Sequence, residues 1–138
     1  MGRQLLLCAG ILSSFMCQAS QQVERTQIHF EKVPEYAATV IISRDRDAPT
    51  ACDVELLIPG QAPLALPLGE SVELNIPAGN FNVELALSPA GYCGSINLHS
   101  RQSMLVKPGA TRYFQVRVSQ DTIFLSPSAA PGQEPNIQ

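Results

Sequence analysis

The chain has 138 residues, 9 Lys and Arg against 12 Asp and Glu, a net charge of −3, and 45% hydrophobic but only 15% charged residues. That balance belongs to a packed domain rather than a disordered chain, and the scattered basic residues give no electrostatic footprint for a nucleic acid, which is therefore not expected as a partner. Trp is absent and aromatic residues make up 6%, which leaves little for stacking against a sugar ring.

Residues Met1–Ala19 read as a secretory leader. Arg3 supplies the positive start and Leu5–Met16 an apolar run of about twelve residues, within the ~7–15 of such a segment; Cys17-Gln18-Ala19 is a small-x-small site cut between Ala19 and Ser20. The run is shorter than the ~20 residues a spanning helix needs. A lipid anchor on Cys17 is the competing reading, but Phe15 and Met16 are bulkier than the residues that precede such a cysteine, so membrane attachment is not expected. With the leader removed, about 119 residues remain, one domain's worth. Residues 20–26 are expected as a flexible N-terminal segment, 27–125 as the folded domain and 126–138 as a disordered tail.

Cys8 and Cys17 leave with the leader, so Cys52 and Cys93 remain. Two cysteines in an exported chain most simply form a disulfide, which places the protein in the periplasm or outside the cell. A zinc site needs three or four ligands, and neither His29 nor His99 has metal-motif spacing to a cysteine. No metal and no cofactor are expected.

Short strands follow in order. Gln27–Phe30 alternates briefly and suits an edge strand before the proline break at Pro34. Tyr36–Ser43, rich in β-branched residues, predicts a central strand with Ala38, Val40 and Ile42 on one face. Arg44-Asp45-Arg46-Asp47 reads as a solvated loop; Asp45 and Asp47 resemble the start of a calcium loop, but the glycine and closing glutamate are missing. Cys52–Ile58 aligns Val54, Leu56 and Ile58, and Pro59-Gly60 ends it. Leu64 and Leu66 suggest a short strand.

Ser71–Leu87 has the firmest pattern. Val72, Leu74 and Ile76, then Phe81, Val83, Leu85 and Leu87, alternate with polar or small residues on either side of Pro77-Ala78-Gly79-Asn80, which predicts a β-hairpin. Glu73 and Glu84 would then sit on its wet face, where a paired-carboxylate hydrolase could place them. Ile96–His99 reads as a short strand, and His99 with Arg101 as an exposed polar pair. Ser103–Val106 and Tyr113–Val118 flank Lys107-Pro108-Gly109-Ala110 as a second hairpin-like turn. Phe114, Val116 and Val118 would face the core, leaving Tyr113, Gln115 and Arg117 on the outer face as the candidate binding surface, since aromatic and Arg side chains are enriched in hot spots. Thr122–Leu125 is the last strand, and the three prolines after it suit a tail. Turns every 8–12 residues between about seven or eight short strands predict an all-β fold, a small antiparallel β-sandwich with one disulfide.

Pro77-Ala78-Gly79-Asn80-Phe81-Asn82-Val83-Glu84-Leu85 resembles the Pro-x-Gly-x-aromatic hairpin of PEGA-like and carboxypeptidase-regulatory-like (transthyretin-type) sandwich modules. The stretch from Phe30 through Val33-Pro34 to Ala38–Arg44 is similar to the opening of a family of bacterial envelope proteins of unknown function. Ala78 stands where PEGA modules carry Glu, and their motif does not supply the cysteine pair. The resemblance implies a non-enzymatic accessory module of the bacterial envelope and carries over no catalytic residue. The expected role is therefore binding, scaffolding or inhibition through surface contacts with an envelope protein or glycan. A structural subunit of a surface or pilus-like system and a small secreted hydrolase are the alternatives.

Overall fold

A computed structural model of the chain describes residues 26–29 and 37–132. The leader, its Ala19–Ser20 cleavage site, Cys17 and residues 133–138 lie outside the described residues. Nine strands are present among the described residues: β1 (Thr26–His29), β2 (Ala37–Arg44), β3 (Val54–Leu57), β4 (Leu64–Leu66), β5 (Ser71–Pro77), β6 (Gly79–Leu87), β7 (His99–Val106), β8 (Thr111–Val118) and β9 (Ile123–Ser128). They form a five-stranded sheet, β1-β5-β2-β8-β9, and a four-stranded sheet, β4-β3-β6-β7. The all-β sandwich read from the strand spacing is the fold.

The burial pattern along β2, β5 and β6 alternates almost without exception, the expected result when one face of each sheet packs on a shared core. Val40, Ile42 and Leu74 from one sheet meet Val54, Leu56 and Leu85 from the other, all fully buried. Each such side chain contributes about 1.5–3 kcal/mol of burial free energy. Phe114 and Val116 join this core and Val118 packs at its margin.

Two local expectations are overturned. Ser71–Leu87 is not a hairpin: β5 pairs with β1 and β2, whereas β6 pairs with β3 and β7. Ala78 is the single residue between them, and the chain turns a corner there from one sheet to the other, with Gly79 at φ +121°, a conformation that favours glycine. Hairpin and corner demand the same period of two, so the alternation could not tell them apart. Lys107–Ala110 is a second corner, carrying β7 in one sheet to β8 in the other. Its main chain is stitched to the start of β2, Gly109 N–H donating to Ala37 O (2.8 Å) and Thr39 N–H to Ala110 O (2.9 Å). That anchoring makes β8 run parallel to β2. β1 is also parallel to its neighbour β5, so the sandwich is antiparallel apart from these two pairings.

Three boundaries also move. Ile96–His99 and Ser103–Val106 are not separate strands: β7 is continuous from His99, and a short 3-10 turn occupies Gly91–Ser95. β9 runs to Ser128, so Ser126, Pro127 and Ser128, assigned to the tail, pair with Gln115, Phe114 and Tyr113. The edge strand predicted at Gln27–Phe30 begins one residue earlier, at Thr26, and Phe30 lies outside the described residues.

The free edge of β9 is closed by a side chain. Gln102 on β7 donates its amide to Leu125 O (3.2 Å) and accepts the Leu125 N–H, bridging the two sheets where their edges meet. Pro127, of the same parity as Leu125, has no N–H to offer an incoming strand, which suits an edge. We expect Gln102→Leu to cost about 1–3 kcal/mol, because both Leu125 groups lose their partner, and to promote self-association through the reopened edge. Urea unfolding and sedimentation velocity check this; an unchanged midpoint with an unchanged monomer would show that the latch does nothing.

Candidate functional site: the disulfide-pinned loop end

Strand directions sort the connections onto two ends. One end gathers the β2–β3 loop (45–53), the β4–β5 turn (67–70), the β6–β7 loop (88–98) and the β8–β9 turn (119–122). Cys52 and Cys93 form a disulfide there, with Cα atoms 5.6 Å apart, a usual span for such a bridge. Cys52 is buried and Cys93 packs against the core margin. The bridge is consistent with an oxidising compartment.

The pinned 88–98 loop is compact for identifiable reasons. Cys93 N–H donates to Ala90 O and Ile96 N–H to Cys93 O, both at 3.1 Å, and Ser95 Oγ donates to Tyr92 O at 2.7 Å. Gly94 lies so close to Pro89 O that a Cβ there would collide with it. Ser88 N–H donates to Asp53 O (2.8 Å) and Leu87 N–H to Leu98 O (3.1 Å), so the loop is tied at its base to β3 and across itself. One large apolar group stays outside: Tyr92 is 80% exposed.

Between this loop, the β2–β3 loop and the β8–β9 turn lies a groove of about 350 Å³. Leu87, Ile96, Leu98 and Val118 form its apolar floor and Tyr92 stands at its rim, with Thr50 and Ser119 as polar lining. The volume falls near the lower bound of small-ligand sites and suits one or two apolar side chains.

Arg44 supports this end from inside. The charged run Arg44–Asp47 predicts a loop, but Arg44 is the last residue of β2 and only 3% exposed. Its Nη2 donates to Thr50 O (2.7 Å) and its Nη1 to Leu66 O (3.1 Å), fixing the β2–β3 loop and the end of β4 together. Nε is buried without a partner. Burial pushes the guanidinium pKa below its usual value, and Asp53 pulls it partly back. The sequence held one usable signal: Arg44 shares the parity of Ala38, Val40 and Ile42.

The residues singled out from sequence are spread over the molecule. Tyr113, Gln115 and Arg117 share the outer face of the five-stranded sheet, level with Ile41, Ser43 and the half-exposed Phe124. Tyr113 and Gln115 are half-buried, and Arg117 Nη1 lies 3.6 Å from Asp45 Oδ2. Glu73 and Glu84, proposed to flank one wet face, lie on the outer faces of opposite sheets. With the core between them, ~10 Å thick, they cannot attack one bond. Arg101 donates to Glu84 at 2.9 Å instead of pairing with His99, which is exposed at the start of β7. Asp45 and Asp47 gather no further ligands; among the described residues no group of three or more His, Cys, Asp or Glu could hold a metal ion. The groove escaped sequence reading because its walls come from three loops far apart in the chain.

No family model matches the chain, so the PEGA-like resemblance, read from a hairpin that is a corner, gains no support beyond the sandwich itself. No curated protein matches it either. Among solved structures it is similar to the T6SS lipoprotein TssJ1 from Pseudomonas aeruginosa, at 12% identity and a TM-score of 0.38, over 71% of this chain and 100% of that one; a likeness of that degree carries no argument.

Proposed function

We propose that this protein is an exported, non-catalytic binding module of the bacterial envelope that engages another macromolecule through its loop end. The observation that carries the reading is the placement of the Cys52–Cys93 bridge. It joins two of the three loops that wall the groove, so a covalent staple holds a recess and the exposed Tyr92 beside it in a fixed arrangement. Preorganised loops on a rigid sandwich are a common way to present a binding surface, because little ordering entropy is lost on contact.

The test is site-directed photocrosslinking in the producing cell. A benzophenone side chain replacing Tyr92 is expected to yield a discrete adduct. The same group replacing Leu105, 66% exposed on the outer face of the four-stranded sheet, is expected to yield none. Adducts from position 105 alone, or from neither, would contradict the reading.

An assembly role is the second reading, favoured by one feature: the edge of the five-stranded sheet is filled by β1, four residues in parallel register on β5. A short parallel edge strand is a weak occupant that a longer strand could replace. A mature protein that stays monomeric on concentration would argue against it.

A further inference from the structure

We infer that the edge of β5 takes an extended segment of another protein, running parallel to β5, in which a Lys or Arg stands between two apolar residues. The inference builds on the replaceable β1 edge of the second reading above and is independent of the loop end.

The other sheet edges are closed. β4 has three residues, bracketed by Pro63 and Pro67, and its Leu66 carbonyl is taken by Arg44. β9 has both Leu125 main-chain groups engaged by Gln102 and lacks an N–H at Pro127, and β7 lies against β9 at that latch. Short length, proline and covered main-chain groups are the devices by which native sheets refuse a strand. The remaining edge is held by β1 alone, in register with four of the seven β5 residues, Val72–Asn75. Its parallel pairing is the weaker kind per residue.

β5 specifies what fits beside it. Val72, Leu74 and Ile76 are buried on its inner side, whereas Ser71, Glu73 and Asn75 are half-buried on the outer. A strand in the β1 register therefore needs apolar residues opposite 72, 74 and 76 and a cation opposite Glu73. The β2 neighbour of Glu73 is Ile41, and Glu73 makes no ion pair among the described residues. β5 has no basic residue, and the one on β2 is Arg44, buried on two carbonyls. β1 places Thr26 opposite Val72, Gln27 opposite Glu73 and Ile28 opposite Leu74, so an apolar-basic-apolar strand improves on it at two positions. Opposite charges across a strand pair attract and like charges repel, so an acidic residue in the middle place is refused. No segment of this chain outside the strands has Lys or Arg between two strand-forming apolar residues, which makes the donor a different protein.

The probes are two synthetic peptides, acetyl-Thr-Val-Lys-Val-Thr-Val-Thr-amide and the same sequence with Glu for Lys, titrated into the mature, disulfide-intact protein and followed by amide NMR shifts. Tethered β1 competes at high effective concentration, so the basic peptide is expected to act at millimolar concentration. It should move amides of 71–77 while those of 26–29 shift to unpaired positions. The acidic peptide should bind about fivefold more weakly, and Glu73→Gln should bring the two peptides within about twofold of each other. Gln27→Lys, which gives β1 the missing cation, should weaken the basic peptide about threefold. Ile28→Pro, which removes a β1 N–H, should tighten it about threefold. Equal binding of both peptides to the unaltered protein, unmoved amides at 71–77, or shifts confined to the loop end would overturn the inference. A protein that stays monomeric on concentration yet binds the basic peptide at β5 fails as a self-assembling subunit and supports the inference. One that self-associates while β5 ignores both peptides keeps the assembly reading and overturns the inference.

Discussion

Replacing Cys52 and Cys93 together by alanine lowers the free energy of unfolding by roughly 4 kcal/mol on the chain-entropy model. The bridge spans 41 residues of sequence, and reopening so long a loop returns much conformational freedom to the unfolded chain. A domain of this size has about 5–15 kcal/mol to lose, so the variant should unfold at markedly lower urea with an unchanged native fold. Local consequences should concentrate at the loop end. Hydrogen exchange should accelerate across 88–98, whose base is tied to β3 through Asp53, while amides of the central strands β2 and β5 respond only through the lower global stability. A loss below about 1 kcal/mol would mean that packing alone fixes the two loops.

Arg44→Ala carries the second large effect, about 3 kcal/mol. The substitution empties a buried site and strands the Thr50 and Leu66 carbonyls, which now receive charge-assisted hydrogen bonds; each such bond is worth ~1.5–3 kcal/mol. Part of this is offset, because a buried cation with an unpartnered Nε already costs desolvation energy. The direction of the pKa change agrees: burial opposes the charged form, though an arginine stays protonated throughout the accessible pH range. Arg44→Met separates the two contributions. It fills most of the volume without charge, and its cost should be about half that of Ala. Methionine as destabilising as alanine would show that the hydrogen bonds dominate, and a stabilising methionine would show that the cation is a burden tolerated for the geometry it imposes. Chemical denaturation of the three proteins decides between them.

The disulfide and Arg44 fall on opposite sides of the limit of what the sequence displays. Period-two alternation made the strands and most of the core legible: Ala38, Val40 and Ile42, then Val72, Leu74 and Ile76, all point inward as their parity requires. The disulfide was legible because only two cysteines survive removal of the expected leader. Sheet membership was not, since a corner at Ala78 and a tight hairpin leave the same alternation on either side. Arg44 was hidden by its neighbours Asp45, Arg46 and Asp47, which pulled it into a loop reading although its parity said otherwise. The Gln102 latch and the groove depend on residues brought together from distant segments, and no local pattern reports such meetings. The stripe Tyr113, Gln115 and Arg117 was legible as an outer face, but its partial burial and the Arg117–Asp45 contact leave it less to offer a partner than Tyr92.

The proposed function depends on loops held covalently at one end of an exported sandwich. Alkylation of free thiols in lysing cells, followed by mass analysis of the mature chain with and without reduction, tests this most directly. The predicted result is a chain beginning at Ser20 with Cys52 and Cys93 protected until a reductant is added. Both cysteines labelled at once in the unreduced protein would contradict it.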